Sequence, residues 1–263
     1  MAELTLLIGE RASCAASFQI WLAMREVGLL FQIRSAAVSE PRYADELCAG
    51  KLPVLLVDEV PIWEPLAIGE FLAEHVPNLW PTEPRARALA RSVTFEAQSG
   101  LRAIRTLLPF DVTRRFATNR LVGPVRNDLD RITTIWRECR VRFRGDGPFL
   151  FGRFSLADAV HASLALRLIG HSIELPAEAG VYLETIATLP AVSEWIEAAR
   201  DEQTRSLQHK APTGTQRPSP AGEVRPGPFE PTASATNVEQ SVVKSSEGEP
   251  AVKPIGAGTR RRH

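Results

Sequence analysis

Residues 51–75 read KLPVLLVDEVPIWEPLAIGEFLAEH, and this stretch decides the fold class. It contains two short apolar runs, residues 53–57 and 60–63, which are typical of buried strands. Only two residues separate the runs, so the strands they predict pair in antiparallel fashion. A helix is predicted from Pro65 to His75, because a proline at the first helical position loses no hydrogen bond. The stretch is therefore interpreted as a hairpin that leads directly into a helix.

The residues before this stretch predict a strand, a helix and a second strand. Residues 4–8 are an apolar run of strand length, and residues 14–27 carry apolar side chains at helical spacing. Gly28 follows, at a position where glycine commonly ends helices. The second strand is predicted over residues 31–38, and a proline- and charge-bearing segment follows over 40–50. Two strands joined through a helix imply a parallel pair.

The chain after residue 78 has no strand signals and is predicted to be all helical. Ser155 and Asp158 form an acidic capping box: the serine oxygen accepts an N–H at the helix start, and the carboxylate accepts the N–H of Ser155. We therefore predict an α/β domain over residues 1–78 followed by an all-α domain over residues 84–208. The predicted helices cover residues 83–108, 124–143, 155–169 and 190–202.

Composition sets the last residues apart and limits the function classes. Of the 53 residues from 211 to 263, 24 are Pro, Gly, Ser or Thr, which predicts a disordered C-terminal tail. The chain has 31 basic and 31 acidic residues, so a nucleic-acid partner is not expected. No apolar run reaches the roughly 18–20 residues needed to cross a membrane. Three cysteines (Cys14, Cys48 and Cys139) form no CxxC pair, so a reduced, cytoplasmic protein is expected.

Three motifs, in this order and at this spacing, carry a resemblance to a known family. They are KLPVL at residues 51–55, WEPLAI at residues 63–68 and FLFGRFSLAD at residues 149–158. The chain resembles the cytosolic glutathione transferase superfamily over residues 3–205, and within it bacterial transferases of a zeta-like type. The resemblance implies that the α/β domain is thioredoxin-like and binds glutathione, and that the protein is a homodimer.

The resemblance also implies roles for five residues around glutathione. The proline at the position of Pro53 is cis in the family, and the residue before it, here Leu52, binds the cysteinyl part of glutathione through its backbone. Lys51 contacts the glycyl carboxylate or a nearby backbone group, or is a solvated residue of the strand edge. Glu64 matches the acid that faces the ammonium group of the γ-glutamyl end. Pro65 replaces the family's serine, which removes a hydroxyl and an N–H from the γ-glutamyl site.

The catalytic position departs from the family as well. Aligned on Gly9 and Trp21, Cys14 takes the place of the first serine of the family's Ser-Ser pair, whereas a one-residue slip puts Ser13 there. A serine hydroxyl would stabilise the glutathione thiolate for conjugation. A cysteine at a helix N-terminus is itself activated and forms a mixed disulfide with glutathione, which favours thiol transfer. A third interpretation is that Cys14 is a small packing residue without chemistry.

The function that the resemblance implies is glutathione-dependent conjugation or thiol transfer to a small apolar electrophile. Glutathione is the co-substrate, and the electrophile is expected near residues 101–110. The alternative is a non-catalytic interaction protein of the same fold, with the tail as a recruiting element. His161 and His171 have no cysteine or carboxylate partner at metal-ligand spacing, so no metal is assigned.

Overall fold

The computed structural model describes residues 3–35, 50–58, 60–117, 123–143, 145 and 147–210. These residues belong to one compact unit. Cys48, most of the segment over residues 40–50 and the predicted tail over 211–263 lie outside the described residues.

The first part of the chain forms a four-stranded mixed sheet. The strands are spatially ordered β2-β1-β3-β4, with β1 and β2 parallel and the other two pairs antiparallel. The parallel pair and the hairpin that the sequence predicts are both confirmed. In chain order the strands are β1 (Leu4–Ile8), β2 (Gln32–Ser35), β3 (Val54–Val57) and β4 (Val60–Trp63).

Two helices, α1 (Ala15–Glu26) and α2 (Pro65–His75), belong to this first part and share its core. Because side chains alternate across a strand, the sheet presents two apolar faces. Leu6, Ile8 and Leu55 join the main core together with α1 and α2. The side chains on the other face form a small separate cluster of Leu7, Val54 and Leu56, packed against Leu52 and Trp63.

The second part of the chain is helical, as predicted. A polar chain joins it to the first part: Gln19 of α1 donates to Ser163 Oγ (2.8 Å) and accepts from Gln98 Nε2 (2.6 Å). The buried helix that carries Ser163 contacts both α1 and the helix that carries Gln98. The helices are α3 (Pro84–Ser99), α4 (Arg102–Leu107), α5 (Gly123–Phe143), α6 (Leu156–Gly170), α7 (Ala177–Ala187) and α8 (Pro190–Lys210), and a short 3-10 turn covers Pro77–Leu79.

One predicted helix is wrong in its extent. The apolar spacing predicts a single helix over residues 83–108, but the structure has α3 and α4 with a break between them. Gly100 is extended and Leu101 adopts the left-handed conformation with φ 48°. A Cβ on residue 100 would lie 2.8 Å from the Glu96 carbonyl oxygen, so the break requires glycine there. In addition, α7 was not predicted, and α8 continues to Lys210 rather than ending at residue 202.

The predicted capping box at the start of α6 is confirmed and extends further than expected. Asp158 Oδ2 accepts from the N–H and the hydroxyl of Ser155, at 3.0 and 2.9 Å. Its Oδ1 accepts from Leu150 N and from the Tyr182 hydroxyl, both at 3.0 Å. Burial raises the pKa of Asp158 to about 6. This carboxylate ties the loop before α6 to α6 and α7, which makes it a structural residue.

Candidate active site

Cys14 lies at the end of the loop between β1 and α1 and directly precedes the helix. Its N–H donates to the Glu10 carbonyl (2.9 Å), and its carbonyl accepts from Phe18 N (3.1 Å). Its Sγ lies 3.0 Å from Ser17 Oγ, one helical turn further on. Cys14 as a whole is half-buried.

Ser17 is a site residue that the sequence analysis missed. Its hydroxyl oxygen accepts from Gly9 N at 3.1 Å, and its side chain is fully buried. Because the oxygen already accepts this bond, its hydrogen is free to point at Cys14 Sγ. The signal was present in the spacing, since residues three apart at the start of a helix lie on one face.

Gly9 brings Cys14 close to Leu52. A Cβ on residue 9 would lie 3.1 Å from Cys14 Sγ and 3.5 Å from Leu52 Cδ1. Both side chains therefore lie close to a residue that has no side chain of its own. A larger residue at position 9 would push against both.

Ser13 takes a different position from Cys14. Its side chain is exposed, and its hydroxyl donates to Glu10 Oε2 at 2.8 Å. The structure thus places the thiol of Cys14, rather than the hydroxyl of Ser13, next to Leu52.

The residues expected around glutathione come from two adjacent turns. The Leu52–Pro53 peptide bond is cis, as the resemblance implies. Glu64 immediately precedes α2 and has φ 68°. Its carboxylate accepts from Lys51 Nζ at 2.5 Å, and both side chains are more than half exposed. Lys51 and Glu64, which the resemblance assigns to opposite ends of glutathione, thus form an ion pair with each other.

A cavity of about 550 Å³ opens beside these turns. One wall comes from the first part of the chain and the other from α3 and α4. Four of the five residues predicted to bind glutathione lie on the first wall, and the fifth, Pro53, is bonded to one of them. The first wall is formed by Ala16, Lys51, Leu52, Glu64, Pro65 and Leu66, and the second by Phe95, Gln98, Ser99 and Arg105.

Comparison with known proteins identifies the fold. No protein-family profile matches the chain, and no curated protein matches its sequence. Among solved structures, a glutathione transferase homolog from Burkholderia strain BGR1 with bound glutathione is 21% identical and has a TM-score of 0.57, covering 76% of this chain and 99% of that chain. The fold is that of the glutathione transferases. Two further solved structures share this fold. Glutathione transferase Omega 2S from Trametes versicolor is 19% identical, with a TM-score of 0.59, and the match covers 79% of this chain and 97% of that chain. Ure2p in complex with glutathione is 17% identical, with a TM-score of 0.56, and the match covers 74% of this chain and 94% of that chain.

The neighbours with this glutathione transferase fold belong to several classes. They include Omega and Tau transferases as well as bacterial homologs. The fold is shown by these likenesses, while the zeta-like type stays a prediction.

In this example of the glutathione transferase fold, the helical part holds the loop that carries Cys14. Val112 N donates to the Ala12 carbonyl (3.0 Å), and Trp195 Nε1 donates to the Arg11 carbonyl (3.0 Å). Arg11 N and Nη1 both donate to Glu202 Oε2, at 3.2 and 3.4 Å. The loop is therefore held by hydrogen bonds to α8 and to the segment after α4.

Cys139, His161 and His171 lie in the packed interior of the helical part. Cys139 is 2% exposed, and burial raises the pKa of its thiol to about 12. His161 accepts from Trp136 Nε1 at 2.9 Å, and burial lowers its pKa to about 4. His171 stacks on the ring of Phe116. Within residues 3–210, where described, no three metal-ligating side chains cluster, and no helix is long and apolar enough to span a membrane.

Proposed function

We propose that this protein is a glutathione transferase in which Cys14 carries out thiol transfer. The observation that carries the proposal is the position of Cys14 Sγ, at the start of α1 and beside Leu52 of the cis peptide bond. The Burkholderia homolog and Ure2p, which share the fold, have been solved with glutathione. Glutathione bound along Leu52 would bring its sulfur to Cys14.

Glutathione lies, in this proposal, along the first wall of the cavity. The backbone of Leu52 pairs with the cysteinyl unit. The N–H groups of Leu66 and Ala67, in the first turn of α2, face the γ-glutamyl carboxylate, because a helix N-terminus favours negative charge. Glu64 then faces the ammonium group and Lys51 the glycyl carboxylate. This exchange breaks the Lys51–Glu64 ion pair, which costs little because exposed pairs contribute only about 0–1 kcal/mol.

Thiol transfer follows from these positions in two steps. Cys14 Sγ, which lies 3.0 Å from the Ser17 hydroxyl oxygen, attacks as a thiolate the glutathione sulfur of a mixed disulfide. The original S–S bond breaks, and the partner thiol leaves as a thiolate. A second glutathione, as thiolate, attacks the new disulfide on Cys14. Oxidised glutathione leaves, Cys14 returns to a thiolate, and the proton of the incoming glutathione ends on the partner thiol.

The test is adduct formation with oxidised glutathione. Intact mass should show one glutathionyl group, and peptide mapping should place it on Cys14. Cys14→Ser should abolish the adduct and shift activity from thiol transfer towards conjugation, since a hydroxyl can only stabilise the glutathione thiolate. Cys139→Ser is the matched control and should keep the adduct, because Cys139 is buried.

A result in which Cys14 reacts with iodoacetamide no faster than Cys139 would show that the thiol proposal is wrong. Ser13 then becomes the candidate, and Ser13→Ala should remove whatever conjugating activity is measured.

A non-catalytic interaction protein is the second candidate, and Pro65 is the observation that favours it. Pro65 offers neither N–H nor hydroxyl to the γ-glutamyl carboxylate. The two functions differ in a simple measurement. A transferase should be retained on immobilised glutathione and should unfold at a higher temperature with millimolar glutathione, whereas the interaction protein should do neither.

A further inference from the structure

The second wall of the cavity carries a positive charge that has no carboxylate partner in the part of the chain that the structure describes. Among the described lining residues, three are charged: Lys51, Glu64 and Arg105. Lys51 and Glu64 pair with each other, so their charges cancel. Arg105, on α4, has no acidic partner among the described residues. The cavity therefore has a net positive charge, which is located on the wall opposite Leu52.

The guanidinium of Arg105 is only partly used in hydrogen bonding. Its Nη1 donates to the backbone carbonyl of Gln98, and its buried Nε has no partner within the described part of the chain. A guanidinium offers five N–H donors in a plane, arranged to bind a carboxylate with two parallel bonds. Arg105 thus has spare donors at the wall of the cavity.

A second arginine increases the positive charge behind this wall. Arg167 of α6 donates to the Leu108 carbonyl (2.7 Å) and lies over the ring of Phe110, and its buried Nε also lacks a partner where the chain is described. Burial and, next, the charge of Arg105 lower the pKa of Arg167 to about 10. Two neighbouring guanidinium groups whose hydrogen bonds go to uncharged carbonyl oxygens repel each other, so an anion bound to the more accessible of the two is favoured. The more accessible group is that of Arg105.

We propose that Arg105 binds a carboxylate on the second substrate, so that the preferred partner in thiol transfer is a small thiol that carries an acid group. The inference rests on the proposed function, because it names the second substrate of the same cavity. Glutathione brings two carboxylates of its own, but the first wall offers groups to both: Lys51 to one, and the first-turn N–H groups of α2 to the other. Arg105 lines the same cavity as Leu52, whose side chain approaches the Cys14 sulfur across Gly9. In this proposal the leaving thiol lies between Cys14 and Arg105 during the first step.

Two matched mixed disulfides of glutathione test this inference, one with 4-mercaptobenzoate and one with 4-mercaptobenzamide. The two compounds differ only in the substituent of the aromatic ring, which is a carboxylate in the first and a neutral amide in the second. The wild-type protein should turn over the carboxylate compound with a kcat/KM at least tenfold higher. Arg105→Gln should remove this preference, and Arg105→Lys should restore part of it. Because the preference is a ratio within one protein sample, a change in the folded fraction does not alter it.

Arg102→Gln is the control variant, since Arg102 is an exposed arginine on the same helix, and it should keep the preference. The KM for glutathione distinguishes the source of the carboxylate. If Arg105→Gln raises the KM for glutathione and leaves the ratio of kcat/KM for the two disulfides unchanged, Arg105 binds glutathione itself and the inference is overturned.

Binding without turnover separates this inference from the proposed function. In Cys14→Ser protein, calorimetry should show the same tenfold preference for the carboxylate disulfide, and Arg105→Gln in that background should abolish it. If the preference in binding is present but neither disulfide is turned over by the wild-type protein, the proposed thiol transfer fails and the anion site stands. Equal binding of the two disulfides, or no binding of either, overturns the inference.

Discussion

Replacing Pro65 with serine tests a position where the candidate glutathione site lacks hydrogen-bond donors. Pro65 is the first residue of α2, and the first intrahelical bond runs from Ile68 N to the Glu64 carbonyl at 3.0 Å. The N–H groups of Leu66 and Ala67 therefore precede the helical ladder and are open to a ligand. Pro65 adds no donor to these two, whereas serine would add an N–H and a hydroxyl.

The expected gain can be worked out from these donors. A hydrogen bond to a charged group contributes about 1.5–3 kcal/mol, and the lower end applies here because residue 65 is partly exposed. Pro65→Ser should therefore tighten glutathione binding at least tenfold, since a factor of ten corresponds to about 1.4 kcal/mol. Pro65→Ala supplies the N–H without the hydroxyl, so its affinity for glutathione should lie between those of wild type and Pro65→Ser. Both variants should lower the free energy of unfolding by about 0.4–1 kcal/mol, because the unfolded chain gains freedom.

Isothermal titration calorimetry with glutathione gives the three affinities, and urea unfolding gives the stabilities. The order of affinity should be serine, then alanine, then proline. Three equal dissociation constants, with all proteins folded, would refute the reasoning, because the γ-glutamyl carboxylate would then not lie at the start of α2.

Two further substitutions test the packing around α6, which contains His161 and Leu156. His161→Gln keeps an acceptor for Trp136 and removes a group whose pKa burial lowers from 6.5 to about 4. The stability that neutral His161 contributes is complete above its pKa in the unfolded chain and is lost as the pH falls towards its pKa in the folded protein. Between about pH 7.5 and about pH 5, the free energy of unfolding of the variant, measured in urea, should therefore fall by about 2 kcal/mol less than that of wild type. Equal decreases would contradict this prediction. Gly69→Ala would place a Cβ 2.2 Å from the buried Leu156 Cδ2 and should destabilise the protein by about 1–3 kcal/mol, measured by thermal unfolding. Gly180→Ala, which meets nothing within 4 Å in α7, is the control and should be neutral or stabilising; a Gly69 variant as stable as this control would show that α6 can shift.

Much of the sheet and of the capping network could be predicted because the signals are local. The apolar runs, the two-residue turn at Asp58 and the spacing of Ser155 and Asp158 each involve residues within a few positions of one another. The break at Leu101 could not be predicted in this way. Residues with strong helix propensity lie on both sides of it, and a buried leucine in the left-handed conformation is set by tertiary packing.

The candidate site was predictable only where the resemblance supplied the positions. Composition and spacing do not bring Cys14 next to Leu52; Gly9 does so, through a close approach that depends on the folded chain. The ion pair between Lys51 and Glu64 also joins two separate turns. Arg105 could not be picked out from the sequence, because an arginine on a surface helix is usually solvated. That it lacks an acidic partner among the described residues is visible only in three dimensions.

The hydrogen bonds between α8 and the loop that carries Cys14 have a consequence for the order in which the protein folds during synthesis. The loop is synthesised among the first fifteen residues, but its partners Trp195 and Glu202 are synthesised near the end of the described chain. A nascent chain that has released only the sheet and its two helices lacks all three hydrogen bonds that join Arg11 to these partners. These hydrogen bonds can form only after α8 has left the ribosome, and an α/β part transplanted onto another helical partner would lack them unless that partner supplied equivalent groups.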